Sequence, residues 1–237
     1  MPVEADVRAR TVTLVRHGRT SYNRLGMVQG SIDIPLDEVG LWQVKQSAKA
    51  LIDLYVRRQP ERRQLVVSSD LERAMQTAHA FADGIGVPVH ADPRLRERDF
   101  GEFEGKTAEY LARNYPEDFE SWCAGLGGEL NHGAESHEHT GTRGMNAVND
   151  WAHECDENTD LFVFSHGALI ENTLQVMFGI GEHFPDFISV TTMRNAHWAR
   201  LYNAGIHVDN RWILSDYNHG PALADTEYWE NPSQPLE

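Results

Sequence analysis

Three short apolar runs, residues 11–15, 65–67 and 161–164, each hand over to a longer segment whose apolar residues recur at three- and four-residue steps. Strand-length runs alternating with helical periods point to a mostly parallel sheet wrapped by helices on both faces. The first helical segment, 41–56, carries the stripe Leu41, Val44, Ala48, Leu51 and Tyr55, with Asp37 placed to cap it. The second, 71–81, carries Leu71, Ala74, Ala78 and Phe81 after the cap candidate Asp70. Further helices are expected at 145–155 and 168–178. Late strands are expected within "ISVTTM", "HWARLY" and "RWILSDY". Between them, residues 105–144 interrupt the alternation with amphipathic pieces near 106–114 and 116–123 and the Gly- and His-rich loop "AGLGGELNHGAESHEHTGTRG". There is no internal repeat and no long linker, so the expectation is one domain over 1–237 with a cap inserted at about 105–144.

A formal net charge of -15 gives no basic face on which nucleic acid or acidic lipid could release counterions. Small ligands are the expected partners. Cys123 and Cys155 are too few for a disulfide framework and read as small apolar residues. The first ten residues lack an apolar signal core and no run is long enough to span a membrane, which leads to the expectation of a cytoplasmic protein.

In open α/β sheets, ligands bind beyond the carboxyl ends of the strands. Arg16 and His17 follow the first run, Ser68, Ser69, Asp70 and Arg73 follow the second, and Ser165, His166 and Gly167 follow the third. If these ends share one crevice, two guanidinium forks and two imidazoles surround it. A phosphate dianion suits such a group, since each fork presents paired donors to phosphoryl oxygens and nearby helix N-termini add partial positive charge. Small Gly18 and Gly167 are read as letting the backbone approach the ligand closely.

The segments "LVRHGRTSYNRLGMVQGSIDIPLDEVG", "VVSSDLERAMQTA", "LRERDFGEFEG" and "FSHGALI", in this order and spacing, resemble the histidine phosphatase superfamily, in its phosphoglycerate-mutase-like branch. The resemblance spans about residues 11–218. It implies a three-layer α/β/α sandwich, with a mostly parallel doubly wound sheet, an antiparallel edge and the inserted cap, and phosphoryl transfer through a phosphohistidine with no metal and no cofactor. By position it makes His17 the nucleophile, Arg16 and Arg73 clamps on the phosphoryl oxygens, His166 a further donor and Glu97 the proton donor. Asn23 matches a phosphate-pocket position. Tyr22, Gln29 and Gly30 match the substrate rim, and a homodimer is the assembly the family implies.

The chemistry of these residue types agrees with the roles. A neutral imidazole is a competent nucleophile when its other nitrogen keeps its proton, held by an acceptor such as a backbone carbonyl. Fixed cations stabilise charge spread over the equatorial oxygens of a loose transition state. Glu97 must be protonated to release an alkoxide; burial and a nearby dianion favour that, and Arg96 and Arg98 oppose it if they turn inward.

The chain departs from the family pattern in four places. Arg19 stands where glutamate or glutamine is usual and is read either as a surface charge or as a rim group favouring a second anion. "HGAES" carries Ala134 in place of a glycine, with Glu135 at the site edge or at a helix start beside Ser136. No basic stretch lies between Gly105 and Arg143, and Ala168 replaces the asparagine of mutases. Water is therefore the expected acceptor, and the expected activity is phosphomonoester hydrolysis on small metabolites. Mutase-type transfer and a non-catalytic phosphate-binding module remain as alternatives. Phe100, Phe103, Tyr110 and Trp122 are read chiefly as packing residues of the cap. His132, Glu135, His137, Glu138 and His139 are weighed as metal ligands and set aside, because a flexible Gly-rich loop preorganises ligands poorly.

Overall fold

The computed structural model of the chain describes residues 9–180, 190–204 and 212–232. Strand β1 (Thr11–Arg16) leads through a short helix α1 (Ser21–Leu25) into α2 (Glu38–Leu51), which runs on into a π-helical turn at Ile52–Val56. Then come β2 (Arg63–Ser68), α3 (Glu72–Ile85), β3 (Val89–Ala91), α4 (Ala108–Asn114), α5 (Pro116–Cys123) and α6 (His137–His153). The chain continues with β4 (Thr159–Ser165), α7 (Gly167–Met177), β5 (Trp198–Asn203) and β6 (Trp212–His219). The strands form one sheet in the order β3-β2-β4-β1-β5-β6. β3, β2, β4 and β1 are parallel; β5 and β6 form the antiparallel edge.

Strand parity explains the layers. Leu161 and Val163 of β4, with Val12, Leu14 and Val67, pack on Ala147, Val148, Leu169 and Ile170 of α6 and α7. The alternate residues Phe162 and Phe164, with Val15 and Val66, pack on Ala48, Leu51, Ala78 and Phe81 of α2 and α3. A central strand buried on both faces reads as a continuous apolar run rather than an alternating one. The result is the three-layer α/β/α sandwich with a mixed, mostly parallel sheet. Among the described residues no helix is long and apolar enough to cross a membrane.

Several local expectations need correction. Asp37 does cap α2, accepting from Gly40 N at 2.8 Å. Asp70 does not cap α3: its oxygens take the Arg96 guanidinium at 2.7 and 2.6 Å, and Leu71 is the N-cap. A fork offering two charge-assisted donors competes well with a single backbone N–H. α6 begins at His137 rather than near 145, with Ser136 capping it through His139 N at 3.1 Å. The glycines read as loop residues instead allow close helix contact. A Cβ at Gly141 would stand 2.4 Å from Asn172 O of α7, and one at Gly144 would stand 2.1 Å from Thr173 Oγ1. Residues 190–193 of "ISVTTM" form no strand; residues 188–189 lie outside the described residues.

α2 abuts the loop that follows β1. A Cβ at Gly18 would lie 2.6 Å from Val44 Cγ1 and 2.8 Å from Gly40 O, and one at Gly40 would lie 1.9 Å from Arg19 O. Gly18 is therefore small for the sake of α2, not to clear a path for ligand. In an exposed helix, alanine would be favoured over glycine by about 1 kcal/mol. Here Gly40→Ala should instead lower unfolding free energy by roughly 1–3 kcal/mol through overpacking, as urea denaturation would measure.

Candidate active site

The parallel register decides which side chains meet. Arg16 lies opposite Ser165 and Ser68 opposite Phe164, so β1, β2 and β4 end at one level. The ladder extends one step further, with His17 N donating to Ser165 O and Ser69 N to Phe164 O, both at 2.9 Å. His17, Ser69 and His166 thus emerge side by side, and the His17 and His166 ring centroids are 5.2 Å apart.

His17 is 2% exposed, and its Nδ1 lies 2.7 Å from the Gly18 carbonyl oxygen. A carbonyl only accepts, so Nδ1 carries the proton and Nε2 keeps its lone pair. Burial, reinforced by Arg73 and Arg16, holds the His17 pKa well below its ordinary value. His166 is fully buried and shifted the same way by burial and by Arg73, His17 and Arg16. Its Nε2 is 2.8 Å from Ser69 Oγ.

Both arginines are held by main-chain oxygens. Arg16 donates to Met193 O, and Arg73 donates to Gly30 O at 2.7 Å and Ile32 O at 2.8 Å. Each keeps a buried Nε without a partner among the described residues. Burial lowers both guanidinium pKa values, while Glu97 is the leading charge that raises them. The Arg16 guanidinium lies against Gly167, where an added Cβ would come within 3.3 Å of it. Gly167 thus makes room for Arg16.

Glu97 accepts from Arg98 N at 2.9 Å, Ala168 N at 3.2 Å and Leu169 N at 2.9 Å, docking it on the N-terminus of α7. The flanking arginines turn elsewhere. Arg96 pairs with Asp70, and Arg98 with buried Glu129 at 2.6 Å. Asn23 Oδ1 accepts from Thr20 N at 3.1 Å and Asn195 Nδ2 at 3.2 Å, which leaves its own Nδ2 as a donor without a partner among the described residues. Asn195 also donates to His17 O at 3.1 Å. Sequence reasoning passed over Asn195, since an asparagine just before β5 carries no motif of its own.

The rim residues divide. Gln29 Oε1 accepts from Thr20 Oγ1 at 2.9 Å, Gly30 supplies a carbonyl to Arg73, and Tyr22 lies half-buried on α1. Arg19 does not present its charge to a ligand. Its Nε binds Asp37 at 2.9 Å and its NH1 binds Glu230 O at 3.1 Å, tying the C-terminal segment to the start of α2. Glu135 is likewise engaged, taking Arg143 at 2.7 and 2.8 Å and lying 2.8 Å from His139. The imidazoles once weighed as metal ligands diverge: His132 goes to Asp118 and His137 to Asn172. Among the described residues no group of three or more His, Cys, Asp or Glu could hold a metal ion.

Two outcomes follow. Gly167→Ala should displace Arg16 and lower kcat/KM for a phosphomonoester at least tenfold while leaving the melting temperature within a few degrees. His17, His166 and His197, the last lowered to about 4 mainly by burial, take up protons on unfolding. The unfolded state then binds more protons below about pH 6.5, so stability is intact above that pH and declines as pH falls toward 4. Melting temperature recorded between pH 7.5 and 4.5 should show this slope, reduced in His197→Gln.

The family model of the histidine phosphatase superfamily (branch 1) matches residues 12–210. A glucosyl-3-phosphoglycerate phosphatase of Mycolicibacterium vanbaalenii is 30% identical, over 92% of this chain and 99% of that protein. A probable phosphoglycerate mutase of Yersinia pestis is 33% identical, over 94% of this chain and 96% of its own length. Among solved structures, a mycobacterial glucosyl-3-phosphoglycerate phosphatase complexed with VO3 superimposes with a TM-score of 0.73 at 29% identity, covering 88% of this chain and 98% of that one. Extending over most of the chain, these matches show that it belongs to the histidine phosphatase superfamily, branch 1.

Proposed function

We propose that this chain, a phosphatase of small phosphorylated metabolites by family, hydrolyses phosphomonoesters through a phosphohistidine on His17 Nε2, with water as the final acceptor. The observation that carries this reading is the 2.7 Å hydrogen bond from His17 Nδ1 to the Gly18 carbonyl, which commits the proton to one nitrogen and the lone pair to the other. A buried, neutral imidazole attacks phosphorus while Arg16, Arg73 and the Asn23 amide bind the phosphoryl oxygens. His166 adds a further donor.

Glu97, docked at the α7 N-terminus, is the proton donor. In its acid form it passes the proton to the departing alkoxide as the P–O bond breaks. The resulting carboxylate then takes a proton from the water that attacks phosphohistidine, which returns His17 and releases inorganic phosphate.

Hydrolysis is preferred over mutase transfer because Ala168 replaces the asparagine of mutases and no basic stretch lies between Gly105 and Arg143 to hold and re-present a phosphorylated intermediate. The same reading takes glucosyl-3-phosphoglycerate, the substrate in the name of the mycobacterial relative, as the first compound to screen. It dispenses with a metal ion because two buried guanidiniums supply the positive charge.

His17→Ala should abolish hydrolysis of p-nitrophenyl phosphate with the circular dichroism spectrum unchanged, and acid-labile label from a radioactive ester should vanish with it. Glu97→Gln should lower kcat/KM for an alkyl phosphate by about 10²–10⁴ but for an aryl phosphate much less, since a phenolate leaves without a proton and kcat/KM does not include the later hydrolysis of phosphohistidine. Wild-type turnover without label on His17, or equal losses for both leaving groups, would count against the scheme.

A further inference from the structure

Ser69 lies at the end of β2, fully buried, and its Oγ makes two contacts among the described residues. It accepts from Leu71 N at 3.3 Å, and it is 2.8 Å from Nε2 of His166. A hydroxyl has a single proton, and Nε2 is the one acceptor within its reach among these contacts. On the other side of the ring, Nδ1 of His166 is buried without a partner among the described residues, and Arg73, His17, Arg16 and Arg143 are the charged or titratable groups that act on the ring.

Two assignments are open to a neutral ring. With the proton on Nε2, the imidazole donates to Ser69, the hydroxyl proton has no acceptor, and Nδ1 turns a lone pair toward any bound anion. With the proton on Nδ1, Ser69 donates to Nε2, Leu71 N–H satisfies the hydroxyl oxygen, and Nδ1–H faces the anion. Only the second arrangement gives the hydroxyl proton an acceptor and turns an N–H, instead of a lone pair, toward a bound phosphate.

We propose that Ser69 is a positioning residue, whose hydroxyl donates to Nε2 and so fixes His166 as the Nδ1–H tautomer that can bind a phosphoryl oxygen. Depressed basicity from burial keeps the ring neutral, so the tautomer alone decides whether this imidazole attracts or repels the substrate. The contribution to catalysis rests on His166 acting as a phosphoryl donor; the tautomer itself does not.

Long-range 1H–15N correlation spectra of the free protein, with the His166 signals assigned by their loss in His166→Gln, read the tautomer directly. Wild type should show the Nδ1–H pattern. Ser69→Ala should give a mixed or Nε2–H pattern and bind orthovanadate about tenfold more weakly. Ser69→Thr, which keeps the hydroxyl, should restore both. A wild-type ring protonated on Nε2, or a Ser69→Ala ring still wholly Nδ1–H, would overturn the proposal. If Ser69→Ala does not fold, the wild-type and Ser69→Thr spectra decide it. Because the spectra need no turnover, a Ser69-dependent tautomer in a protein that cleaves no ester would remove the hydrolase reading and leave this assignment standing.

Discussion

Two guanidinium groups are buried at one end of the sheet against carbonyl oxygens instead of carboxylates. Among the described residues neither Arg16 nor Arg73 forms a carboxylate ion pair; Met193, Gly30 and Ile32 aim them by main-chain oxygens alone. A carbonyl satisfies an N–H without cancelling the charge, so the pair retains a net positive field in a site from which water is largely excluded. Burying such charges is costly and is sustained by the sheet, whose three parallel strands end level and fix where they stand. The neutrality of both histidines follows first from burial and is reinforced by the same field, since a cation opposes a second cation beside it.

What was legible in the chain followed from burial and from motif order. Runs such as 161–164 read as strands because both faces of β4 are covered, and strand ends bearing Arg, His and Ser could be matched to one crevice by topology alone. Side-chain pairing was not legible. Asp70 and Arg19 each sit beside several plausible partners in sequence, and the choice of Arg96 for one and of Asp37 with Glu230 for the other depends on where distant segments pass. The three-residue β3 is too short and too exposed to leave a pattern.

Glycine was misread for one general reason. Gly18, Gly141 and Gly144 all occur near polar or His-rich sequence, where flexibility or ligand access is the natural explanation. In the fold Gly18 and Gly141 are points where two backbones press together, and at Gly144 the α6 backbone meets the Thr173 and Leu169 side chains of α7. A missing Cβ records the proximity of something, and sequence alone does not say whether that something is a helix, a guanidinium or a substrate. The consequence for His137–His153 was a helix start placed too late, at the Met145 that follows the last of these glycines.

The position of β1 in the sheet bears on how the protein is made. Its neighbours are β4, which begins at Thr159, and β5, which ends at Asn203. A nascent chain leaving the ribosome therefore carries its first strand, with Arg16 and His17 at its tip, unpaired until most of the polypeptide has been synthesised. Such distant partners make for slow, late assembly and an interval in which an apolar strand is open to wrong pairing. For this topology, chaperone attendance during synthesis matters most to the segment that will carry the nucleophile.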